Sequence, residues 1–441
     1  MRESKFNYVV TKDNNTIIFN SLQNTLTVLS SDDYKNISVG YNDKINTFLK
    51  NQGIIVDDDC DEDKAAILKY QNVIDDGILE LIILPTLACN FRCPYCYEEK
   101  NIGKMSDEVI DSIVKFVKQH ISRARGLHLS WFGGEPLLCM DVIEKLSNSL
   151  IKLARVYRKG YSSNITTNGY LLDIGTFKKL LYDFHVTHYQ ITLDGCAEFH
   201  NKTRPLANGA PTYDKILENL IAIKENIKSG LFTILIRTNL TKESLEHLES
   251  HVRELEKYFS NDSRFVFLFK EVGNWGGESV KSISDSLIKG REDNSERLLI
   301  KKLLTLNIKL KLSGQFNFFS GVTTCYASRM GTYTINPLGK VMRCTVHLND
   351  DFNHLGDLDV NGRLIPNKKN YIKWQYCGHP AENKNEKCKG CSLYANCFGI
   401  MCPVPYICNK TTPNCNGLEH ELLAMYTIYP EYFKKLEEAV I

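Results

Sequence analysis

Between Leu79 and Val272 short apolar runs alternate with longer stretches whose apolar residues recur every three or four positions. The runs predict strands at Leu79–Leu84, Leu127–Trp131, Ser163–Thr167, Tyr189–Leu193, Phe232–Asn239 and Phe265–Val272. The periodic stretches predict helices at Asp107–His120, Val142–Leu153, Phe177–Tyr182, Tyr213–Ile227 and Leu245–Tyr258. The first of these helices has Ser106 as its cap and Val109, Ile110, Ile113, Val114 and Val117 on one face. Such alternation implies parallel strands joined by right-handed crossovers. In a parallel barrel the chemistry gathers where the strands end.

The flanks read differently. Phe6–Val10, Thr16–Phe19 and Leu26–Leu29 look like strands, with a turn at Asp13-Asn14-Asn15. Helices follow at Asp43–Leu49 and Asp61–Ile74, with a helix stop and a strand across Asn51–Val56. Three strands and then helices are the plan of a small winged-helix module over residues 1–77. The alternating core takes 78–275. A bridge with a helix near Glu296–Leu304 takes 276–314, and a cysteine-rich unit takes 315–441.

Composition narrows the class. The 441 residues are 43% hydrophobic and 24% charged, as in an ordinary soluble protein. A net charge of +2 gives no reason to expect a nucleic-acid or membrane partner. There is no apolar run of the roughly 18 residues a spanning helix needs. Met1–Tyr8 lacks the apolar core of a signal peptide, so the expected location is the cytoplasm. Thiols stay reduced there, yet the chain has fifteen cysteines, nine of them between Cys325 and Cys415. Clustering of that kind reads as metal ligation.

The sharpest motif lies in Leu81–Glu99, where a strand runs into a loop carrying Cys89, Cys93 and Cys96. Three thiolates that close can cover one face of an iron–sulfide cube and leave the fourth iron open. A zinc site would more usually pair two Cys-x2-Cys units or add His. The Cys-x3-Cys-x2-Cys spacing, with Tyr95 before the last cysteine, resembles the signature of radical S-adenosylmethionine (SAM) enzymes. The resemblance implies a partial (β/α)6 barrel, an α/β fold. It also implies that SAM and a [4Fe–4S] cluster on Cys89, Cys93 and Cys96 yield a 5′-deoxyadenosyl radical that removes hydrogen from the substrate.

The strand ends fit the family. Gly133-Gly134-Glu135-Pro136 resembles its Gly-Gly-Glu-Pro motif for the SAM amino group. The two glycines would let the backbone approach the ligand. Thr167 and Asn168 end the third strand and Asp194 the fourth, where ribose or substrate contacts are expected. Arg204, after His200-Asn201, is expected to pair with the SAM carboxylate. Cys139 and Cys196 have no partner spacing and read as small buried hydrophobes, and Cys60 likewise has no partner.

The tail runs Cys325, thirteen residues, Gly339, four residues, Cys344, then Cys388-x2-Cys391-x5-Cys397-x4-Cys402 and a last cysteine, Cys408 or Cys415. This resembles the SPASM domain, which carries two auxiliary [4Fe–4S] clusters, although three residues, not four, usually precede the residue matching Cys402. The resemblance assigns Cys325, Cys344 and Cys402 to one cluster, and Cys388, Cys391, Cys397 and Cys415 to the other. The first is then either open at one iron or closed by Cys377. An open iron could hold a substrate thiolate.

SPASM proteins mostly modify peptides. The expected function is maturation of a ribosomally made precursor peptide, with a Cys thioether as the leading cross-link and a carbon–carbon bond as the alternative. An N-terminal module of this plan resembles a leader-peptide recognition element that works by strand addition. A flavodoxin or ferredoxin would donate electrons. The other enzyme reading is an anaerobic sulfatase-maturating enzyme, which oxidises Cys or Ser to formylglycine. There an Asp usually stands where this chain has Thr345. Tyr326, Thr345, His347 and carboxylates near Glu271 are candidate bases by location only, and none is singled out.

Overall fold

The computed structural model describes the chain except residues 38–42, 101, 229, 274–282, 288–298, 300–301, 304, 307, 314–323, 378–387, 389, 409–417 and 439–441. Most of the expected bridge, its helix near Glu296–Leu304, and Cys415 therefore lie outside the described residues.

Three antiparallel strands open the chain: β1 (Asn7–Lys12), β2 (Asn15–Asn20) and β3 (Thr25–Ser30). Asp13, in the left-handed region at φ 54°, makes the first turn. A two-residue strand, Arg2–Glu3, pairs with Ile55–Val56, and a helix follows at Glu62–Ile74. This sheet buries Val10, Ile17, Phe19, Leu26 and Val28 against Leu418, Leu422 and Phe433 of the last two helices, Leu418–Ile428 and Pro430–Glu438. The two ends of the chain thus share one core.

Six parallel strands follow: β4 (Ile78–Ile83), β5 (Gly126–Trp131), β6 (Gly160–Thr167), β7 (Val186–Thr192), β8 (Thr233–Leu240) and β9 (Phe265–Glu271). They pair in chain order. These are the strands the apolar runs predict, each within a few residues. Helices return the chain between them. Asp107–His120 starts where the Ser106 hydroxyl accepts the Val109 amide and buries Ile110, Ile113, Phe116 and Val117. The predicted helix at Leu245–Tyr258 is two, Lys242–Glu246 and Leu248–Phe259, because His247 leaves helical geometry.

The sheet continues beyond six strands. After Gly331, β10 (Thr332–Ile335) lies parallel to β4, with Ile335 opposite Ile83. The antiparallel strands β11 (Lys340–Met342), β12 (His354–Leu358) and β13 (Leu364–Pro366) extend it to ten. Buried Arg343 fastens this junction by donating to the carbonyls of Arg329, Met330 and Thr332. Backbone pairing therefore places the cysteine-rich tail beside the strand that leads into the cysteine loop. Among the described residues no helix is long and apolar enough to cross a membrane.

Candidate active site

The parallel register sets Ile83, Trp131 and Ile165 level, so the loops after β4, β5 and β6 leave from one edge. The cysteine loop is held there at several points. Gly134 and Glu135 donate their amides to the carbonyls of Thr86 (3.1 Å) and Ala88 (2.9 Å). On the far side the Arg92 amide reaches the Pro205 carbonyl, and the Ala207 amide reaches that of Asn90.

This close stacking by itself requires the paired glycines. A Cβ on Gly134 would stand 2.2 Å from the Ala88 carbonyl oxygen, and one on Gly133 2.5 Å from that of Thr86. Gly133 also has φ 108°. Glu135 likewise has a structural part. Its fully buried carboxylate accepts the Thr167 hydroxyl (2.7 Å), the Asn168 amide (2.7 Å) and the Leu137 amide (3.0 Å). Glu135 therefore ties the end of β5 to the end of β6 and brings Thr167 and Asn168 with it. Asn168 completes the link by donating its side-chain amide to Asn90 Oδ1 in the cysteine loop (2.8 Å). Pro136 opens the short 3-10 turn Pro136–Cys139, where a missing N–H costs nothing.

A second tie joins the loop to β7 and β8. Arg204 donates to the Tyr95 hydroxyl at 2.7 Å, and that hydroxyl donates to Asp194. The other Asp194 oxygen accepts the Asn239 amide at 2.7 Å. Asp194 is fully buried and Arg204 only 7% exposed. Burial pushes the Asp194 carboxyl up, opposed by Arg204 and by the Tyr95 and Asn239 hydrogen bonds. Burial opposes the Arg204 charge, but Tyr95, Cys93 and Asp194 outweigh it and hold the guanidinium protonated. Arg204 also lies over the Phe91 ring, 5.5 Å from its centre. His200 stays neutral behind this group: its Nδ1 accepts the Asp194 amide, its Nε2 pairs with the Thr212 hydroxyl, and burial lowers its pKa well below the usual value.

Two polar atoms here have no partner. Arg204 Nε and Glu98 Oε2 are buried without a hydrogen bond. Such atoms are costly unless a ligand pairs with them. A cationic N–H and a carboxylate oxygen beside the cysteine loop suit a ligand bearing both a carboxylate and an ammonium group, as SAM does. Burial raises the thiols, Cys89 to about 12 and Cys96 to about 11, and Cys93 moves in the same direction. Without a bound cation these sulfurs are therefore protonated, and metal binding would release the protons. Among the described residues no three Cys, His, Asp or Glu groups close tightly enough for a single metal ion.

The tail forms a second group. The Cys325 thiol lies within electrostatic reach of Cys344 and Cys402, and the Cys377 thiol within reach of Cys402 and Cys325. Cys402 joins them despite the extra residue before it. Phe398 (φ 49°) and Gly399 (φ 72°) are both left-handed and turn the chain between Cys397 and Cys402. Cys388, Cys391 and Cys397 sit together on one short stretch, and Cys391 and Cys397 pack beneath the N-terminal sheet. Cys408 adjoins Cys402.

Tyr97 lies between the two groups, its hydroxyl within electrostatic reach of Cys96, Cys344 and Tyr326. Tyr326 in turn pairs with the Thr345 hydroxyl at 2.7 Å and accepts the Thr345 amide at 2.9 Å. Of the other candidate bases, His347 pairs with Asp350 at 2.6 Å, and Glu271 keeps one buried oxygen unpartnered. Sequence reasoning missed Tyr97, Glu98 and Asn239. The signal for the first two was their position directly behind Cys96, and for Asn239 its place near the end of a strand. One expectation of burial is not met: Cys196 is half-exposed at the start of helix Ala197–Thr203, and Cys60 is exposed in an acidic loop. Cys139 is buried.

Residues 83–255 match the sequence model of the Radical SAM superfamily. Among curated relatives, the chain is 25% identical to the GTP 3′,8-cyclase of Clostridium perfringens (strain SM101 / Type A) over 72% of its own length and 96% of the relative. It is 26% identical to the cysteine-type anaerobic sulfatase-maturating enzyme of Clostridium novyi over 43% of its length and 50% of that protein. Among solved structures, native anSMEcpe with bound AdoMet and Cp18Cys peptide superposes with a TM-score of 0.55 at 20% identity, covering 82% of this chain and 99% of that one. Streptococcus suis SuiB bound to S-adenosylmethionine gives 0.50 at 16%, covering 91% and 95%. Residues 83–255 are thus a radical SAM domain, whose cofactors are SAM and a [4Fe–4S] cluster, and the cysteine-rich tail agrees with further iron–sulfur ligation.

Proposed function

We propose that this chain, an enzyme built on a radical SAM domain, matures a peptide by removing a hydrogen atom from an unactivated carbon and forming a cross-link, a thioether where the peptide supplies a cysteine. The observation that carries the reading is the meeting of two thiol groups across Tyr97 and Tyr326. One follows β4 and the other is hung from the adjoining β10. A tail of this kind beside the loop supports a reaction that needs further iron–sulfur clusters.

Cys89, Cys93 and Cys96 would hold the first cluster, leaving one iron for SAM. Bound together, cluster and SAM supply hydrogen-atom abstraction. The chain's own residues position and exclude water. Glu135 keeps the tips of β5 and β6 together, and the Tyr95–Asp194–Arg204 tie fixes the loop over β7 and β8. Arg204 Nε and Glu98 Oε2 would meet the SAM carboxylate and ammonium. Gly133 to Pro136, Thr167 and Asn168 line the same edge and would bound the cofactor. Cys325, Cys344 and Cys402 would serve one auxiliary cluster, and Cys388, Cys391, Cys397 and either Cys408 or Cys415 the other.

The N-terminal sheet supports capture of a leader. Its outer strands β1 and β3 each have one edge without a strand partner among the described residues, and strand addition uses such an edge. A flavodoxin or ferredoxin would supply electrons. A second reading, formylglycine formation, is favoured by the likeness to the sulfatase-maturating enzyme. The test is anaerobic reaction of reconstituted protein with SAM, dithionite and short cysteine-containing peptides, read by mass spectrometry. Loss of two hydrogens per cross-link is expected. An aldehyde in place of a thiol or hydroxyl would favour the second reading instead.

A further inference from the structure

The four tail thiols come from segments far apart in the chain, so something must bring them together. Cys344 is set by Asn353, whose side chain accepts the Cys344 amide at 2.8 Å and donates to its carbonyl at 2.7 Å. Helix Lys368–Gln375 lies against that segment: the Trp374 indole donates to the Phe352 carbonyl at 2.9 Å, and Asn370 to that of His354 at 3.0 Å. Its other neighbour is the turn Val404–Ile407 behind Cys402, where Lys373 donates to the Ile407 carbonyl at 2.5 Å. The helix therefore spans the segments that carry Cys344 and Cys402, and Cys377 follows directly at its end.

Cys377 is held in place from a third direction. Tyr70, on the N-terminal helix Glu62–Ile74, donates its hydroxyl to the Cys377 carbonyl at 3.0 Å and stacks edge-on against Phe398, 5.3 Å between ring centres. The side chain is 1% exposed and has Cys325 and Cys402 as near neighbours. A lone buried cysteine is ordinarily a small hydrophobe. One placed beside two thiols, those of Cys325 and Cys402, with its backbone fixed by a tyrosine is in position to act as a ligand.

We propose that Cys377 supplies the fourth thiolate of this site. Cys325, Cys344, Cys377 and Cys402 then close a [4Fe–4S] cluster at every iron and leave none for a substrate sulfur. This inference rests on the reading of the tail as an iron–sulfur region. It sharpens the proposed function, because a peptide thiolate could not be held on this cluster and must be oriented by protein groups instead. The cysteine loop differs. Its motif offers three thiols, Cys89, Cys93 and Cys96, within eight residues.

The test uses protein with Cys89, Cys93 and Cys96 all changed to Ala, so that only the tail binds iron after anaerobic reconstitution. Iron, sulfide and the EPR spectrum of the reduced protein are recorded with and without added 2-mercaptoethanol. The spectrum is expected to ignore the thiol while Cys377 is present. Adding Cys377→Ala should either make the spectrum respond to 2-mercaptoethanol or remove one cluster's share of iron. Cys377→Ser, which keeps an oxygen ligand and nearly the same volume, should shift the spectrum without unfolding the protein. A thiol response in the protein that retains Cys377 overturns the inference, as do iron content and spectra left identical by both substitutions. If the tail binds no iron at all, the iron–sulfur reading fails. Failure of the wild-type protein to release 5′-deoxyadenosine would count against the peptide-maturase reading and leave the tail result standing.

Discussion

The cysteine loop and the cysteine-rich tail gather sulfur in opposite ways. In the loop, three thiols lie within eight residues on one strand-to-helix connection, and polar ties to the neighbouring strand ends shape their surroundings. In the tail, Cys325, Cys344, Cys377 and Cys402 stand 19 to 33 residues apart in sequence, and a helix, an asparagine and an N-terminal tyrosine tie together segments that carry them. Three thiolates on a cluster would leave one iron for a ligand. Four, as proposed for the tail, would leave none. The difference teaches that openness at a metal site depends on which elements converge there as well as on local spacing.

Four substitutions or conditions probe the contrast, from the largest effect down. Cys93→Ala should abolish the loop cluster and all SAM cleavage while the tail keeps its iron, read as iron content and 5′-deoxyadenosine yield. Equal loss of iron from both regions would show that they are not independent. Gly134→Ala should cost about 3 kcal/mol or more, because its methyl meets the backbone carbonyls of Leu87 and Ala88 rather than a movable side chain. Thermal denaturation should show a large loss of stability, and the loop should lose iron before the tail does.

Acid should loosen the barrel. His251 is 1% exposed, and its Nε2 pairs with the Thr238 hydroxyl, which itself donates to the Leu193 carbonyl. Burial lowers the His251 pKa to about 4. The unfolded chain therefore binds the proton first, and the contribution of His251 to stability falls as pH drops from about 6.5 toward 4, by about 3 kcal/mol at most. Denaturant midpoints across that range check the slope, which His251→Gln should flatten. The smallest effect is expected from Tyr95→Phe. It keeps the ring but removes the hydroxyl between Arg204 and Asp194, at about 2 kcal/mol. Affinity for SAM should weaken several-fold with tail iron unchanged. An unaltered affinity would leave the tie without a role at the site.

The sequence revealed the barrel because short strand patterns, most of them alternating buried and half-buried positions, recur between stretches of helical period. Cys89, Cys93 and Cys96 were legible for a related reason: their spacing is local. The roles of Gly134 and Glu135 were not, since the partners that explain them, the Ala88 carbonyl and the Asn168 amide, lie across loops that only the parallel register brings together. Strand β10 was missed because four residues, Thr332–Ile335, give too short a pattern to separate from loop. Cys377 was legible only as one of two alternatives, as nothing in its own neighbourhood in the chain points to Cys325 or Cys402.

The most direct test of the central claim is made on wild-type protein reconstituted anaerobically with iron and sulfide. It is given SAM and dithionite and assayed chromatographically for 5′-deoxyadenosine and methionine. Both should form together and depend on Cys93. Iron-replete protein that releases neither, or protein in which zinc rather than iron proves stoichiometric, would contradict the account.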